Sequence, residues 1–159
     1  MLVFENAQPP VKLEDINKFE EEVGYMIPVE YKEFLAKQNG GKPSPRRYVT
    51  KDGVTESSVM MFLPLADIDS SNLRRNFLIF NKANLIPCNL LPIAEAPRKH
   101  QICISLDGKD VGSVYHWFAD DEEEEIIPSY DYMNLISSSF QEFINSLFDP
   151  QIGSVGGIK

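Results

Sequence analysis

The residues from Leu13 to Pro43 constrain the fold most, because they predict two short helices and the positions at which these begin and end. Ile16, Phe19 and Val23 recur at helical spacing, which places three apolar side chains on one face of the first helix. Gly24 follows the last of them, at the position where a left-handed residue commonly ends a helix. The pattern predicts an amphipathic helix that packs against a core.

A second helix is predicted directly after the first. Pro28 suits its first position, since proline fixes a helical φ and lacks an N–H that would have no partner there. The apolar stripe of this helix consists of Ile27, Tyr31, Phe34 and Leu35. Asn39-Gly40-Gly41 is interpreted as its C-terminal cap. An anion-binding loop is disfavoured, because these residues follow a helix instead of preceding one.

Glu20 on the first helix has two interpretations. It belongs to the charged run Glu20-Glu21-Glu22, which favours an exposed position. The alternative is a buried or edge carboxylate that accepts from a lysine or from backbone donors near the helix pair. The exposed position is the prediction made here.

The middle of the chain predicts strands. Two strands are expected around the turn residues Asp52-Gly53. A single strand follows near residue 90, and two more form a hairpin because apolar residues alternate in the first of them. In order, the predicted strands are Tyr48–Thr50, Ser57–Phe62, Leu90–Ala94, Gln101–Leu106 and Gly112–Phe118. The segment Lys42–Arg47, with its two prolines, is expected to be a loop.

Two further helices are predicted. Ser70 or Ser71 is expected to cap a helix that ends near Asn81. The C-terminal helix is read from apolar residues at helical spacing, namely Ile136, Phe140, Phe143, Ile144 and Leu147. Pro150 stops it.

Helices at both ends with strands between them predict an α+β fold, with helices packed on a mostly antiparallel sheet. The N-terminal helix pair and the C-terminal amphipathic helix belong to this arrangement. The length of 159 residues predicts a single domain over residues 1–159. Residues 1–11 are expected to form an extended arm, and the Gly-rich residues 150–159 a mobile tail.

Composition and charge narrow the functional classes. The net charge of −9 argues against nucleic acid as a ligand, since phosphate contacts need clustered lysine and arginine. The chain has no apolar run long enough to cross a membrane and no secretory signal at its N-terminus, so a cytoplasmic location is expected. Cys88 and Cys103 are then expected to be reduced and buried. No metal site or cofactor is predicted, because the metal-ligand and phosphate-loop motifs are missing from the sequence.

The helix pair resembles the opening block of the SUKH superfamily, which unites fungal cell-wall-assembly regulators with many bacterial immunity proteins. That block looks like I-x-x-F-E, a glycine, L/I-P-x-x-Y/F-K-x-F-L, then N-G-G and a proline. The matching residues here are Ile16, Phe19, Glu20, Gly24, Ile27-Pro28, Tyr31-Lys32, Phe34-Leu35, Asn39-Gly40-Gly41 and Pro43.

Later segments resemble further strand and helix motifs of the same family, so that the resemblance covers about residues 12–148. These segments are Leu91–Ala94, Gln101–Leu106, Val114–Trp117 and Ser139–Ile144. One segment differs from the family. Relatives often have a glycine and an aspartate or asparagine shortly before the strand at 101–106, whereas this chain has Ala96-Pro97-Arg98-Lys99-His100.

No catalytic motif is present, so the protein is expected not to be an enzyme. His116 lies between Tyr115 and Trp117 in a predicted strand, without a serine or cysteine in a known arrangement. It is interpreted as a structural or surface histidine, and the alternatives are a general base or a pH switch. The competing hypothesis is an enzyme whose site is assembled from distant residues, which a deep polar pocket with convergent titratable groups would favour.

The strongest functional signal is the acidic segment after the last predicted strand, residues 120–125. Its six adjacent carboxylates carry most of the net charge, and aromatic residues flank it on both sides. Aromatic anchors beside a charged rim are typical of a protein-binding patch. The predicted binding residues are Trp117, Asp120, Asp121, Glu122, Glu123, Glu124, Glu125, Tyr130 and Tyr132. The alternative is a solvated loop that only confers solubility.

The leading hypothesis is a binding protein of the immunity class, which neutralises a cognate toxin by direct contact. The family resemblance implies this role. An acidic surface suits a basic partner, and nuclease toxins are basic because they hold a polyanion. The alternative is a scaffold or regulatory module that binds an endogenous protein, as the role of the fungal relatives implies. The sequence does not name the toxin or the oligomeric state.

Overall fold

The computed structural model describes residues 2–118 and 127–150. Its helices are α1 (Leu13–Val23), α2 (Val29–Lys37), α3 (Leu73–Asn76), which continues as a π-helical segment (Phe77–Lys82), and α4 (Phe140–Ser146). Its strands are β1 (Val3–Glu5), β2 (Lys42–Ser44), β3 (Arg47–Val49), β4 (Glu56–Ser58), β5 (Met61–Phe62), β6 (Leu90–Glu95), β7 (Gln101–Ser105), β8 (Val114–Trp117) and β9 (Met133–Ser137). Short 3-10 turns lie at Pro97–Lys99 and Tyr130–Tyr132.

The main sheet has five antiparallel strands in the order β5-β6-β7-β8-β9. Two small antiparallel pairs, β1-β2 and β3-β4, lie beside it. The α+β class and the antiparallel pairing are therefore as predicted, and so is the β7-β8 hairpin. None of the helices in the described part of the chain is both long and apolar enough to cross a bilayer.

One face of the sheet and the helices enclose the main core. Since side chains alternate across a strand, Ile102, Ile104 and Val114 all point to this face, where they are fully buried. The helices contribute their predicted apolar stripes, including Phe19 of α1 and Phe143 of α4. The sheet thus presents one face to the helices and leaves the other for a second, smaller cluster.

The first helix ends as predicted, and Glu20 corrects the interpretation favoured above. Gly24 is left-handed at φ 88°, and its N–H donates to the Glu20 carbonyl. The Glu20 carboxylate, however, accepts from the backbone N–H of Ile27 at 2.7 Å and from Lys32 Nζ at 3.3 Å. Glu20 therefore connects the two helices, and the predicted exposed position is wrong.

The interpretation of Asn39-Gly40-Gly41 as a helix cap is also wrong. The second helix ends at Lys37, Gln38 is extended, and Pro28 precedes the helix as its N-cap. The amide of Asn39 is buried: its Oδ1 accepts from Leu65 N at 2.8 Å, and its Nδ2 donates to Pro9 O at 2.9 Å and to Leu65 O at 3.3 Å. Asn39 thus ties the N-terminal arm to the segment after β5.

The two later helices begin elsewhere than predicted. Ile136 belongs to β9, and α4 begins only after Ser139, whose hydroxyl accepts from Glu142 N. Helix α3 is capped by Asn72, which accepts from Arg75 N, whereas Ser71 donates to Glu95. The predicted α4 was too long because Ile136 has a helical spacing to Phe140 by coincidence.

The regions predicted to lack regular structure contain β1 and β2, which pair with each other within the arm and the first proline loop. Both cysteines are free thiols; Cys103 is buried as expected, but Cys88 is exposed. The predicted tail from residue 151 onward lies outside the described residues, as does the acidic segment at 120–125.

Candidate functional site

The second face of the main sheet, called here the outer face, carries the predicted aromatic residues. Cys103 and Trp117 point to it, because they alternate along β7 and β8 with residues of the main core. The π-helical segment covers part of it through Phe80, whose ring lies 5.4 Å from that of Trp117 in an edge-on arrangement. The cluster comprises Ile86, Leu90, Cys103 and Trp117, with Phe80, Leu85, Tyr115, Tyr132 and Met133 partly buried around it.

The three predicted aromatic residues have different positions on this face. Trp117 is only 5% exposed, and its Nε1 has no hydrogen-bond partner among the described residues. Tyr132 is half-buried in the same cluster, and its ring lies 6.4 Å from that of Phe118. Tyr130 is 42% exposed. The structure therefore brings Trp117 and Tyr132 together, with Trp117 beneath the surface and Tyr130 at its rim.

Asp110 fixes the exposed rim, a role that the sequence did not reveal. Its Oδ2 accepts from Tyr115 Oη at 2.6 Å and from Tyr130 Oη at 2.9 Å, and its Oδ1 accepts from Ser105 Oγ at 2.8 Å. Asn89 also donates to the Tyr130 hydroxyl, at 3.0 Å. The Asp107-Gly108 turn was recognisable in the sequence, but the distant tyrosines that Asp110 would meet were not.

Electrostatics supports the same arrangement. Burial raises the pKa of Asp110, but the hydrogen bonds from Tyr115, Ser105 and Tyr130 outweigh burial and leave this pKa below its ordinary value. Burial, followed by the hydrogen bond to Asp110, raises the pKa of Tyr115. At neutral pH an ionised carboxylate therefore faces two protonated phenols, which holds the rings in place.

Exposed apolar side chains border the outer face. Leu78 and Ile79 are exposed on the π-helical segment, and Val111 is exposed next to Asp110. Phe118 and Ile127 are exposed where the described chain stops and resumes around the acidic segment. An apolar centre with a polar rim is the usual composition of a protein-binding surface.

A cleft lined mostly by polar residues, called here the polar cleft, lies at the C-terminal end of β8. It has a volume of about 670 Å³ and is bounded by β4, by the Pro97–Lys99 turn and by the ends of β8 and β9. At its base, His116 is 1% exposed; its Nδ1 lies 2.6 Å from Tyr48 Oη and its Nε2 lies 2.9 Å from His100 Nδ1. Burial, and then the neighbouring His100, lower the pKa of His116 to about 4.

These distances describe a structural histidine. Both ring nitrogens of His116 are engaged, and a pKa of about 4 means that the ring is neutral and a poor proton acceptor at neutral pH. The cleft does bring together several titratable groups, among them Asp52, Glu56 and His100, and such a group of residues would favour the enzyme hypothesis. Neither nitrogen of His116 contacts a serine or a cysteine, so the geometry contains no activated nucleophile at this histidine.

Comparison with known proteins identifies the scaffold. One relative is an SPbeta prophage-derived uncharacterized protein, YokK, of Bacillus subtilis (strain 168), which is 27% identical over 156 aligned residues. The alignment covers 87% of this chain and 76% of that protein. The model of the SMI1 / KNR4 family (SUKH-1) matches residues 10–146, which include the helix pair, the whole main sheet and α4. The chain therefore belongs to the SMI1 / KNR4 family (SUKH-1).

Proposed function

We propose that this protein is a non-catalytic immunity protein of the cytoplasm, which neutralises a cognate nuclease toxin by direct protein–protein binding. The observation that carries the proposal is the family match over residues 10–146, since members of this family bind toxins. The outer face and the charge of the chain support it and suggest how binding proceeds.

Binding in this proposal has two stages. The net charge of −9, concentrated in the segment 120–125, attracts a basic partner and speeds encounter. Tyr130 and Tyr132 then serve as aromatic anchors, and the buried Trp117 supports them from below. Asp110 holds Tyr130 before the partner arrives, which lowers the entropy lost on binding.

The first experiment is co-expression with the toxin domain encoded by the neighbouring gene, with cell survival as the readout. Protection, together with co-purification of the two proteins, is the expected result. A neighbouring gene that encodes no toxic domain, combined with stable capture of an endogenous housekeeping protein, would replace this proposal with the scaffold function.

The second experiment separates the contribution of the acidic segment to association from that of the net charge. Asp120, Asp121 and Glu122–Glu125 are changed to asparagine or glutamine, and association with the toxin is followed by stopped-flow at several salt concentrations. The expected result is slower association with a flatter salt dependence. The matched control neutralises six exposed carboxylates elsewhere, at Glu5, Glu14, Glu21, Glu33, Asp69 and Asp149. Equal effects of the two variants would exclude the segment as the contact.

A further inference from the structure

One edge of the β4 strand is left open. β4 pairs with β3 on its other side only, and two backbone bonds enclose this pairing, from Val59 N to Arg46 O at 2.8 Å and from Thr50 N to Thr55 O at 2.9 Å. Hydrogen-bonded and non-hydrogen-bonded pairs alternate in an antiparallel ladder. Tyr48 and Ser57 lie two residues from each of these bonded pairs along the ladder. They therefore also form a hydrogen-bonded pair.

The alternation turns the backbone groups of Glu56 and Ser58 away from β3. Arg47, which lies opposite Ser58, confirms this, because its N–H and C=O are bonded to Phe148 on the far side of β3 at 3.0 Å each. Within residues 2–118 and 127–150, the backbone N–H and C=O groups of Glu56 and Ser58 make no hydrogen bond. An edge of this kind is a template for pairing with another extended chain.

The open edge lines the polar cleft. Glu56, Ser57 and Ser58 line it together with Pro97 and Arg98 of the 97–99 turn. The volume of about 670 Å³ lies within the range of sites that hold ligands. Three residues of strand span roughly 10 Å, which matches a short peptide segment lying along β4.

The charged residues that line the cleft differ in whether their side chains already have partners. The Glu56 carboxylate accepts from Arg47 Nη2 at 2.7 Å, and the Asp52 carboxylate accepts from the Thr50 hydroxyl at 2.7 Å. The Arg98 side chain, by contrast, is exposed and has no hydrogen bond or ion pair to any residue that the structure describes. Among the described charged residues that line the cleft, Arg98 is therefore the one whose side chain keeps its hydrogen-bonding capacity for a ligand.

We propose that this cleft binds an extended peptide segment, which adds to β4 as a further strand and directs an acidic side chain to Arg98. The main-chain groups of the peptide pair with those of Glu56 and Ser58, so that a proline at a bonding position is excluded. The contacts that this proposal assigns to the peptide come from β4 and Arg98, and they do not depend on whether the physiological partner is a toxin.

The probe is a phage-displayed library of random heptapeptides, selected on the full chain. The expected enriched peptides carry an acidic residue and lack proline at their centre. The best of them is synthesised with a fluorescent label and titrated by anisotropy. Failure to enrich any peptide, or enrichment of basic or proline-centred ones, overturns the proposal.

Two variants at one position test the edge itself. Glu56→Pro removes an N–H that the β3-β4 ladder does not use, whereas Glu56→Ala removes the same carboxylate and keeps the N–H. Glu56→Pro is expected to weaken peptide binding about tenfold or more, and Glu56→Ala by less than about threefold. Equal affinity of the two variants overturns strand addition. Arg98→Ala is expected to abolish the preference for an acidic residue.

A second measurement uses the unaltered protein, so that the outcome does not depend on the folding of Glu56→Pro. Two versions of the peptide are made, one methylated on the odd-numbered backbone nitrogens and one on the even-numbered ones. One version is expected to lose about tenfold in affinity and the other much less, because only alternate peptide N–H groups face β4. Hydrogen exchange at the amides of Glu56 and Ser58 should slow when the peptide binds. Unchanged exchange at both amides overturns the proposal.

Discussion

The buried His116 makes the stability of this protein depend on pH in a predictable direction. Its pKa is lowered from 6.5 to about 4 in the folded protein, chiefly because burial disfavours the charged ring. Between these two values the unfolded chain binds a proton at His116 and the folded chain does not. Stability from this residue is therefore complete above about pH 6.5 and is lost as the pH falls towards 4.

The size of the effect follows from the two pKa values. One pH unit of difference corresponds to about 1.4 kcal/mol, so that the full loss amounts to about 3 kcal/mol. Between about pH 7.5 and pH 5 the expected loss is about 2 kcal/mol. Asp52, Asp110 and Glu142 have lowered pKa values, so their contribution is lost only below the ordinary carboxyl range and does not dominate this window.

The measurement is urea unfolding, followed by circular dichroism at several pH values between these limits. His116→Asn is the control variant, since its amide keeps a polar group towards Tyr48 but does not titrate. The unaltered protein should lose about 2 kcal/mol more than His116→Asn between about pH 7.5 and pH 5. Curves that run parallel within about 0.5 kcal/mol would refute the assignment of a neutral, buried His116.

Three further predictions concern stability, each measured by urea or thermal unfolding. Asn39→Ala should lower the free energy of unfolding by about 3 kcal/mol, because three hydrogen bonds are lost and the buried Leu65 N–H is left without its acceptor. A loss below about 1 kcal/mol would contradict the role of Asn39 in tying the N-terminal arm to the segment after β5. Arg98→Gly should stabilise by about 1 kcal/mol, because Arg98 has a φ of 63°, which glycine adopts without strain; a lowered stability would argue against this conformation. Glu20→Ala should cost about 2 kcal/mol and Glu20→Gln about half of that, since glutamine still accepts from the backbone but loses the charge paired with Lys32. Equal costs for the two Glu20 variants would show that the backbone bond contributes nothing.

Local patterns predicted the elements that depend on neighbouring residues. The first helix, its end at Gly24 and the β7-β8 hairpin follow from spacing and turn residues, and the structure has them where they were expected. The start of α4 was also readable, because Ser139 and Glu142 have the spacing of a capping box: Ser139 Oγ accepts from Glu142 N at 3.1 Å, and the Glu142 carboxylate accepts from the N–H of Ser138, one residue before the cap, at 2.9 Å. The apolar spacing of Ile136 concealed this signal.

Contacts between distant segments were not predictable in this way. Asn39 reaches Pro9 and Leu65, and Asp110 reaches Tyr130, but nothing in the local sequence of either residue names those partners. The turn at Arg98 and Lys99 was not predictable from local residue types either. Both residues have a φ of 63°, in the left-handed region that glycine, aspartate and asparagine adopt more readily than arginine or lysine.

The two candidate binding surfaces meet at Phe118, directly after β8. Trp117 points to the outer face and His116 to the side of the cleft, and the N–H of Phe118 donates to Tyr132 O at 3.0 Å. The ring of Phe118 accordingly packs beside Tyr132 of the outer face and also lines the cleft. The helices that identify the family are occupied with the core on the opposite face of the sheet. The two surfaces proposed here for binding are therefore ones that α1 and α2 leave free: the aromatic rim held by Asp110 and the open edge of β4.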